Sequence, residues 1–596
     1  MIESDPIVKV LHIDLTSRRS WIKEQPELFE KRLGGAGAAI ELLHKECPPN
    51  TDPLSPDNPI ILAVGQLNAI FPIASKMAAM FKSPLTGNLG ESYGGGRSAI
   101  ALRMAGYGAL IIKGRSETPI YLAIHDSEVN FRDASVLWGM GGSSTVGRVI
   151  REREPQAGIR TIMRIGKAGE RLVSYACVVT ETYRHFGRLG LGAVFGSKKL
   201  KAIAISGRRT FKFKDPKLYR TTYDEIFKAL TTSPLMKKYH ELGTAMNINP
   251  LNEMKALPTR NLTKSNFEAA EEISGETFAQ RYLGRRVACA HCPVSCIHIA
   301  ALRIPYETEP YFYKTKMISY DYELIYSLGS MLGIGAADEV LKLIDEVETQ
   351  GLDAMSTGVA LAWTTEMQQK RLITENETAG LTLKWGDYTT YIKTTKNIVT
   401  QPNDFYTALA HGVDYASSKY GGEEFALTFG GNEMPGYHTG PVAHIGYLVG
   451  ARHSHLDGAG YSLDEKLAKA GKTPTPQTVA EALLTEEQWR QILSSMIICY
   501  FARGIYTPEI VAKAYRVLGY QLSYDDLMKT GANTLKSKYN FKRREGFDFE
   551  RLKIPPRIFE VPTPLGTLTE GFIRETIQNF KNLLEATPDS ESVRLQ

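Results

Sequence analysis

The sequence has few cysteines, little excess charge and no long apolar run, and each shortage excludes a class of protein. Six cysteines in 596 residues are too few for a disulfide scaffold. A formal net charge of +6 is too small to indicate nucleic-acid binding, although it suits docking of an acidic protein. The most apolar stretch, 60–81, is interrupted by Gln66, Asn68, Pro72 and Lys76, so no membrane span is predicted.

The remaining composition is that of an enzyme-sized cytoplasmic protein. Hydrophobic residues make up 43% of the chain and charged residues 23%, which is ordinary for a globular protein with large cores. The N-terminal stretch MIESDPIVKVLHIDL has no basic segment followed by an apolar run, so no signal peptide is predicted. At roughly 150 residues per domain, the length predicts about three or four domains.

The pattern of apolar residues changes near residue 210. Before it, short apolar runs bounded by glycine, proline and aspartate predict strands at 59–65, 109–114, 119–126 and 200–207. After it, segments such as KLYRTTYDEIFKALTT and TPQTVAEALLTEEQWRQILSSMIICYFA have the apolar period of helices. We therefore expect an α+β protein in which a β-rich domain, 1–210, precedes mostly α-helical structure.

Three glycine clusters punctuate the β-rich part. They are LGGAGAA (33–39), YGGGRSA (93–99) and RLGLGAVFGSKKLKA (188–202). The first lacks the third glycine of a dinucleotide-binding fingerprint, and the last lacks the spacing of a phosphate-binding loop. Taken alone, the clusters favour tight turns and close strand packing over a nucleotide site.

Half of the cysteines crowd into the stretch ACAHCPVSCIHIA, as Cys289, Cys292 and Cys296. Three cysteines are one ligand short of a tetrahedral site. A zinc site could take His291 or His298 as the fourth ligand, whereas a 4Fe–4S cluster needs a remote fourth thiolate. Cys499, which we expect on a helix, is the candidate for that thiolate. The spacing favours the iron–sulfur cluster over zinc.

Ten stretches, taken together and in order, make the chain resemble the tungsten-dependent aldehyde:ferredoxin oxidoreductases. They are RLGGAGAA (32–39), KSPLTGNLGESYGGG with MAGYGALIIKG (82–114), GRLGLGAVFGSKKLKAI (187–203), LPTRN (257–261), CAHCPVSC (289–296), YDYELIYSLGSMLGI (320–334), ETQGLDAMSTG (348–358), GARHSH (450–455), IICYF (497–501) and RREGF (543–547). The resemblance covers nearly the whole sequence.

The resemblance implies an architecture and a set of cofactors. The N-terminal domain would form the base for two molybdopterins, covered by two helical domains that we place at 211–420 and 421–596. The pterin sulfurs would hold tungsten or molybdenum, a Mg²⁺ ion would bridge the pterin phosphates, and one 4Fe–4S cluster would lie nearby. The cluster ligands would be Cys289, Cys292, Cys296 and Cys499. Electrons would pass to ferredoxin or to an iron–sulfur subunit.

The resemblance also indicates residues that contact the pterins. Matches to the family's phosphate-binding stretches point to Tyr93, Gly95, Arg188 and Leu189, where glycine permits close approach of the backbone. Lys76 stands where the family tends to have arginine, and it keeps the charge without the bidentate fork.

Two family motifs bring acidic residues to the pterin rings, and both differ here. The first reads ETQGLD (348–353), in which Glu348 replaces the leading aspartate and Asp353 is kept. The second reads SSMIIC (494–499), in which Ser494 replaces the acid and Ile497 replaces a glycine. We expect the second pterin contact to be altered or lost, although the cluster cysteine remains.

Glu323 and His453 match the family's active-site glutamate and histidine. The resemblance implies that a desolvated Glu323 acts as general base and that His453 donates a hydrogen bond to the developing oxyanion. His455 is an additional histidine, with either a supporting role at the site or a local role in which it caps a turn or bonds Asp457.

Three functions remain open on these grounds. The first is aldehyde oxidation, the second is low-potential reduction of another substrate such as an aromatic acyl-CoA thioester, and the third is a zinc or iron–sulfur protein without the pterin. Some family members carry a subunit-bridging iron on Glu-xx-His, where this chain has Lys342 and Asp345. We therefore expect no such iron, and a homodimer, if formed, would be held in another way.

Overall fold

The computed structural model describes residues 6–155, 157–309 and 311–588. Its strands are β1 Lys9–Asp14, β2 Arg19–Glu24, β3 Ile60–Ala63, β4 Met77–Lys82, β5 Leu89–Gly94, β6 Ala109–Lys113, β7 Ile120–His125, β8 Glu128–Asp133, β9 Ile159–Ile165, β10 Val178–Thr180, β11 Arg184–Phe186, β12 Leu200–Gly207, β13 Leu283–Val287, β14 Ile297–Pro305, β15 Tyr313–Tyr320, β16 Thr428–Phe429 and β17 Asn432–Glu433. Twelve of them precede residue 210, as the sequence predicts.

Helices dominate the rest of the chain. The α-helices are α1 Pro26–Arg32, α2 Gly35–Glu46, α3 Ser98–Ala105, α4 Ser143–Arg153, α5 Lys167–Glu170, α6 Leu191–Ser197, α7 Pro216–Thr232, α8 Pro234–Leu242, α9 Ile248–Glu253, α10 Gly275–Arg281, α11 Tyr322–Leu328, α12 Ala337–Gln350, α13 Ala354–Gln369, α14 Tyr388–Thr400, α15 Asp404–Ala410, α16 Val413–Tyr420, α17 Pro441–Val449, α18 His455–Gly458, α19 Gly460–Ala470, α20 Pro476–Ser495, α21 Pro508–Leu518, α22 Tyr524–Arg544, α23 Arg557–Glu560 and α24 Glu570–Ala586.

The β-rich part consists of two six-stranded sheets. One has the order β2-β1-β6-β3-β4-β5 and the other β11-β10-β9-β12-β7-β8. Each contains one parallel pair, β1 with β6 and β7 with β12. Apolar side chains from both sheets, including Leu62, Ile112, Leu122 and Ile203, share one core. The continuous apolar runs of these central strands reflect burial on both faces.

Gly35, in the first glycine cluster, and Gly65 allow the backbone of the β-rich part to contact the C-terminal end of helix α20. A Cβ on Gly35 would lie 2.4 Å from the carbonyl oxygen of Ser494, and one on Gly65 would lie 2.5 Å from that of Ser495. Any larger residue would force α20 away from the β-rich part. Close packing therefore explains the first cluster, and it fixes the position of the segment that follows α20, which carries Cys499.

The helical part has one dominant core and a small sheet. That core contains buried residues from Ala168 to Leu584, so it spans both predicted helical domains. The boundaries at 210 and 420 stay predictions. The antiparallel sheet β13-β14-β15 is a feature that the sequence analysis missed, because only the half of its hairpin near Ile297 is buried and apolar.

Within the described ranges, no single helix has the length and apolarity needed to cross a membrane. One pair of helical segments, Tyr322–Leu332 with Ala337–Gln350, meets the length and composition criteria jointly and bends by 112°.

Candidate active site

A cavity of about 380 Å³ lies where the two N-terminal sheets meet the helical part. Its wall is formed by strand β5, the segment after β11 and the cysteine loop before β14. The start of α11, the α12–α13 junction, the start of α18 and the C-terminal end of α20 complete it. Thirteen of the fifteen predicted site residues line it: Lys76, Tyr93, Arg188, Leu189, Cys289, Cys292, Cys296, Glu323, Glu348, Asp353, His455, Ser494 and Cys499.

Gly95 borders the cavity without contributing a side chain to it. A Cβ at this position would lie 2.9 Å from Cys289 Sγ and 3.2 Å from Lys76 Nζ. The backbone N–H of the next residue, Gly96, donates to Cys289 Sγ at 3.2 Å. The second glycine cluster therefore packs its backbone directly against the cysteine loop, and Gly95 leaves room for Lys76 beside the same thiol.

The four cysteines lie at one end of the cavity. Cys289, Cys292 and Cys296 lie on the loop between β13 and β14. The backbone of Ile73 joins this loop to the fourth cysteine, because Ile73 N–H donates to the His291 carbonyl at 2.8 Å and its own carbonyl accepts from Cys499 N–H at 3.2 Å. The packing thus brings together thiols that are 203 positions apart in the sequence.

Cys499 does not lie on a helix, so this expectation was wrong. Helix α20 ends at Ser495, and Ile497 has a φ of +56°, a left-handed conformation that stops helix propagation. Ile497 occupies the position of a family glycine, and its backbone keeps the conformation that glycine favours. The turn that follows directs Cys499 toward the other cysteines.

In this group of cysteines, the charge of one thiolate affects the ionisation of its neighbours. Burial is the main reason that the pKa of Cys292 rises to about 12, and nearby thiolates raise it further. Burial and the thiolate of Cys499 also raise the pKa of Cys296. Burial alone would lower the pKa of Arg184, but the charges of Asp321 and three of the cysteines raise it. Ionised thiols in this pocket need a nearby positive charge that stabilises the thiolate form.

Of the two histidines near the cysteines, His298 on β14 uses both ring nitrogens, whereas His291 Nδ1 is buried without a hydrogen-bond partner among the described residues. His298 contacts the Cys296 carbonyl through Nδ1 at 3.1 Å and the carbonyls of His240 and Glu241 through Nε2 at 3.1 Å each. His291 Nε2 contacts Tyr223 Oη at 3.5 Å. Over the described residues, no group of three or more His, Cys, Asp or Glu side chains is arranged so that it could hold a metal ion.

Glu323 and His455 form the polar centre of the cavity. Asp321 caps α11 by accepting from Leu324 N–H at 3.3 Å, which places Glu323 on the first turn. Glu323 Oε2 accepts from Gly436 N–H at 3.2 Å, and Oε1 lies 3.4 Å from His455 Nε2. Burial, together with the Asp321 charge, raises the pKa of Glu323 to about 8.

His455 is uncharged in this setting. Burial lowers its pKa well below 6.5, and the positive charges of Arg188, Arg452 and Arg490 lower it further. With a neutral His455 ring and a carboxyl pKa of about 8, Glu323 is mostly protonated at neutral pH. Asp457 accepts instead from Arg452 Nε at 2.7 Å and from Ser454 N–H at 3.1 Å.

His453, the histidine matched to the family's active site, does not line the cavity. Its Nε2 accepts from Lys542 Nζ at 2.9 Å, and its Nδ1 donates to the Tyr447 carbonyl at 3.0 Å. Burial and the charge of Lys542 lower its pKa well below 6.5. The residue has a φ of +55°, and this turn points the two histidine side chains in different directions.

Arg188 and Asp353 join the β-rich part to the α12–α13 junction. Asp353 caps α13 by accepting from Met355 N–H at 3.0 Å, and it accepts from Arg188 Nε at 3.0 Å. Arg188 Nη2 donates to the Glu433 carbonyl at 2.8 Å. Arg188 Nη1 is buried and has no hydrogen-bond partner among the described residues. Glu348, by contrast, faces His185 Nε2 at 3.7 Å.

Two arginines that the sequence analysis did not select complete the wall near α20. The Arg452 guanidinium lies 5.1 Å from the Tyr93 ring centre and that of Arg490 lies 4.8 Å from the Tyr500 ring centre. Ser494 Oγ shares a short hydrogen bond with Tyr500 Oη. Arg490 is one helical turn before Ser494, which is the sequence signal that could have identified it.

The chain matches family models and curated relatives along almost its full length. Residues 10–207 match the model for the N-terminal domain of aldehyde ferredoxin oxidoreductase, and residues 221–586 match the model for its domains 2 and 3. A tungsten-containing aldehyde ferredoxin oxidoreductase of Thermococcus kodakarensis is 31% identical over 98% of this chain and 97% of the relative. Its namesake from Pyrococcus furiosus is 31% identical over 91% and 89%.

One further relative and one solved structure have names other than aldehyde ferredoxin oxidoreductase. The aliphatic sulfonate oxidoreductase WOR-like subunit of Pyrococcus furiosus is 31% identical over 69% of this chain and 67% of the relative. The active-site complex BamBC of benzoyl coenzyme A reductase superposes with a TM-score of 0.83 and 21% identity, covering 98% and 95% of the two chains. The predicted α+β fold is confirmed. The resemblance seen in the sequence is confirmed as well, and the chain belongs to the aldehyde ferredoxin oxidoreductase family of enzymes.

Proposed function

We propose that this chain is the catalytic subunit of a tungsten-bispterin oxidoreductase. It oxidises aldehydes to carboxylic acids and passes the electrons through a 4Fe–4S cluster to ferredoxin or to an iron–sulfur partner subunit. One observation carries the proposal: a buried carboxyl group and a neutral imidazole lie in the same cavity as four cysteines. The names of the relatives add support for tungsten and for aldehydes.

The cavity wall suits a large anionic cofactor. Several buried polar atoms of wall residues lack a hydrogen-bond partner among the described residues, and they include Arg188 Nη1, Glu323 Oε1, His455 Nδ1 and Arg490 Nη2. Buried polar atoms are rarely left unpaired in a folded protein. Guanidinium groups suit phosphate oxygens, and the close backbones near Gly95 suit a flat ring system. The wall therefore supports a phosphorylated pterin, with Lys76, Tyr93, Arg188, Leu189, Glu348, Asp353 and Ser494 as proposed contacts.

The second pterin contact would differ in character from that of the family. Where the family has an acceptor, this chain offers Ser494, Tyr500 and the free N–H of Arg490. We propose that these groups donate to the pterin there. A Mg²⁺ ion remains part of the proposal, and backbone groups near Tyr93 and Arg188 would hold it.

The thiol donor set suits a 4Fe–4S cluster better than zinc. Such a cluster takes four thiolates, three close and one remote in sequence, and Cys289, Cys292, Cys296 and Cys499 line one end of the cavity. Burial raises the pKa of Cys292 and of Cys296, so the positive charge of iron would be needed to stabilise these thiolates. A zinc site completed by His298 loses support because both nitrogens of that ring contact backbone carbonyls.

Glu323 and His455 would carry out the proton chemistry. Oxidation of an aldehyde consumes one water and releases two electrons and two protons. Ionised Glu323 takes a proton from the attacking water as general base. His455, 3.4 Å away, holds a neutral ring that donates to the developing oxyanion. The tungsten centre, when bound, accepts the two electrons. His455 replaces His453 in this proposal because only His455 reaches the cavity.

We also propose that the protein is located in the cytoplasm and that any homodimer is held without a bridging iron. No disulfide joins any of the cysteines in the part of the chain that the structure describes, as is usual in a reducing compartment. At the position of the family's bridging iron, Lys342 pairs with Asp338 at 2.7 Å and Asp345 pairs with Lys316. A dimer would therefore use other contacts.

The test is elemental analysis of anaerobically purified protein followed by aldehyde-dependent viologen reduction. About one tungsten and about four irons per chain are expected, with turnover of aliphatic or aromatic aldehydes. Zinc alone would refute both centres. A fully loaded enzyme that oxidises no aldehyde would refute the substrate class.

The shared fold with benzoyl coenzyme A reductase supports a second candidate, reduction of an aromatic acyl-CoA thioester. Binding of coenzyme A by the loaded enzyme, together with inactivity on aldehydes, would favour that candidate.

A further inference from the structure

The net positive charge of the chain is concentrated in one short segment. Residues 208–240 contain nine lysines and arginines and three aspartates and glutamates, a formal net charge of +6 that equals the +6 of the whole chain. All nine basic residues are exposed. Charges of both signs in this segment are paired: Glu225 with Lys513, Arg208 with Asp126 and Lys237 with Glu241. The remaining chain is neutral overall.

This segment lies beside the cysteine loop. Helix α7 buries Thr222, Ile226 and Leu230 and presents the Tyr223 ring to His291, with ring centres 5.7 Å apart. His291 directly precedes Cys292. The adjoining α8 segment reaches the same loop, since His240 Nδ1 contacts the Val294 carbonyl at 2.9 Å.

Exposed aromatic and basic side chains continue outward from Tyr223. Phe227 stacks on Tyr223 with ring centres 6.1 Å apart and is 40% exposed. Arg220 lies three residues before Tyr223, and Lys228 directly follows Phe227. Neither forms an ion pair within the part of the chain that the structure describes. Arg220, Tyr223, Phe227 and Lys228 together are called the α7 face below.

We propose that the α7 face is the docking surface for an acidic iron–sulfur carrier protein. The inference rests on the proposed function, because it assigns the exit of electrons from the four-cysteine centre. Each docking event moves one electron from the reduced centre of this chain to the oxidised cluster of the carrier, and no bond forms or breaks. Two such events remove the two electrons of one aldehyde.

Charge and position both favour this occupant. A concentrated positive field attracts an acidic protein and accelerates its encounter. Exposed aromatic rings are common at the centre of protein interfaces, where they add contact area at low entropic cost. A carrier seated on Phe227 and Tyr223 would lie beside His291, the residue that directly precedes Cys292.

A second exposed aromatic group lies too far from the cysteines for this role. Tyr311 and Phe312, at the tip of the β14–β15 hairpin, are 93% and 64% exposed. Strand β14 has nine residues between the cysteine loop and this tip, which at about 3.4 Å per residue separates them by about 30 Å. Phe312 is therefore a matched control for Phe227.

The experiment measures electron exchange without any aldehyde. The metal-loaded protein is reduced with titanium(III) citrate and freed of reductant. It is then mixed in a stopped-flow instrument with an oxidised, acidic 4Fe–4S ferredoxin. The test variants are the double variant Arg220→Glu/Lys228→Glu and the single variant Phe227→Ala. Their controls are Lys384→Glu/Lys393→Glu, which makes the same charge change at exposed positions, and Phe312→Ala.

The α7 double variant is expected to lower the second-order rate constant about tenfold at low ionic strength. The difference should shrink at high salt, where charges are screened. Phe227→Ala should also slow the exchange, whereas both controls and all viologen reactions should match wild type.

Equal effects in the test and control pairs, or a wild-type protein that does not exchange electrons with the ferredoxin, would overturn the docking proposal. Because no aldehyde is used, failure of the substrate proposal would leave this result unaffected.

Discussion

Replacing Glu323 by glutamine should both stabilise the folded protein and inactivate the enzyme. The side-chain oxygen of glutamine can still accept from Gly436 N–H, which bonds Glu323 Oε2 at 3.2 Å, but glutamine has no proton to release. In wild type, burial raises the pKa of this carboxyl from 4.5 to about 8. The folded protein therefore keeps the group protonated at neutral pH, while the unfolded chain ionises it above about pH 4.5.

The sign and size of the stability effect follow from this pKa difference. Between pH 4.5 and about 8, unfolding of wild type releases one proton from Glu323, so the free energy of unfolding falls as pH rises. Above about pH 8 the effect is constant. A difference of about 3.5 pKa units corresponds to ~5 kcal/mol as an upper bound. The stability advantage of Glu323→Gln should grow with pH over this window by up to that amount.

The effect on catalysis has the opposite direction. The wild-type rate should rise with pH as Glu323 ionises, with an apparent pKa of about 8. Loss of a positioned general base typically lowers the rate by about 10²–10⁴-fold. The residual activity of the variant should not follow the same titration.

The assays are scanning calorimetry at fixed scan rate and viologen reduction from about pH 5 to about pH 9, on samples with matched tungsten and iron content. Glu323→Asp is the companion variant, since it keeps a carboxyl group and should recover part of the activity. The reasoning is refuted if Glu323→Gln keeps activity within about threefold of wild type. It is also refuted if the stability difference between the two proteins is the same at both ends of the pH range.

Three further predictions concern residues around the cavity. His455→Ala should lower kcat by about 10²-fold or more per bound tungsten. His453→Ala should mainly lower thermal stability, because it removes a buried hydrogen-bonded ring. The reverse ranking of the two variants in kinetics and calorimetry would contradict the assignment. Cys499→Ser should lose the spectroscopic signature of the cluster and most of its iron but keep tungsten, as judged by electron paramagnetic resonance and elemental analysis; full iron retention would exclude this cysteine as a ligand. Gly95→Ala should also lower iron content, since its Cβ would lie 2.9 Å from a cysteine sulfur, while Gly141→Ala, which meets nothing within 4 Å, should match wild type.

Much of the local structure could be predicted from residue patterns. Runs such as PIILAVG and LKAIAISG became β3 and β12 because their apolar, β-branched residues are buried in sheets. The sheet β13-β14-β15 was missed, because half of it is an exposed hairpin whose pattern does not indicate burial. The helix expected at Cys499 was wrong because the backbone turns into the left-handed region at Ile497.

The candidate site was only partly predictable. Cysteine spacing identified three thiols and a plausible fourth, but no local signal gives the distance between Cys296 and Cys499. Arg184 and Arg452 were not selected, because an isolated arginine in a sequence has many possible surroundings. Their importance depends on the charges that folding places next to them.

The sequence by itself determined the family, the α+β class and the residue types available for chemistry, because these depend on composition, periodicity and ordered motifs. Only the tertiary structure decided which histidine of the GARHSH motif faces Glu323. Residues two positions apart share a face in a strand, but the positive φ at His453 breaks that alternation. It sends one ring to Lys542 and leaves the other, on the first turn of α18, in the cavity. Such a choice depends on backbone conformation and on the neighbours that folding supplies.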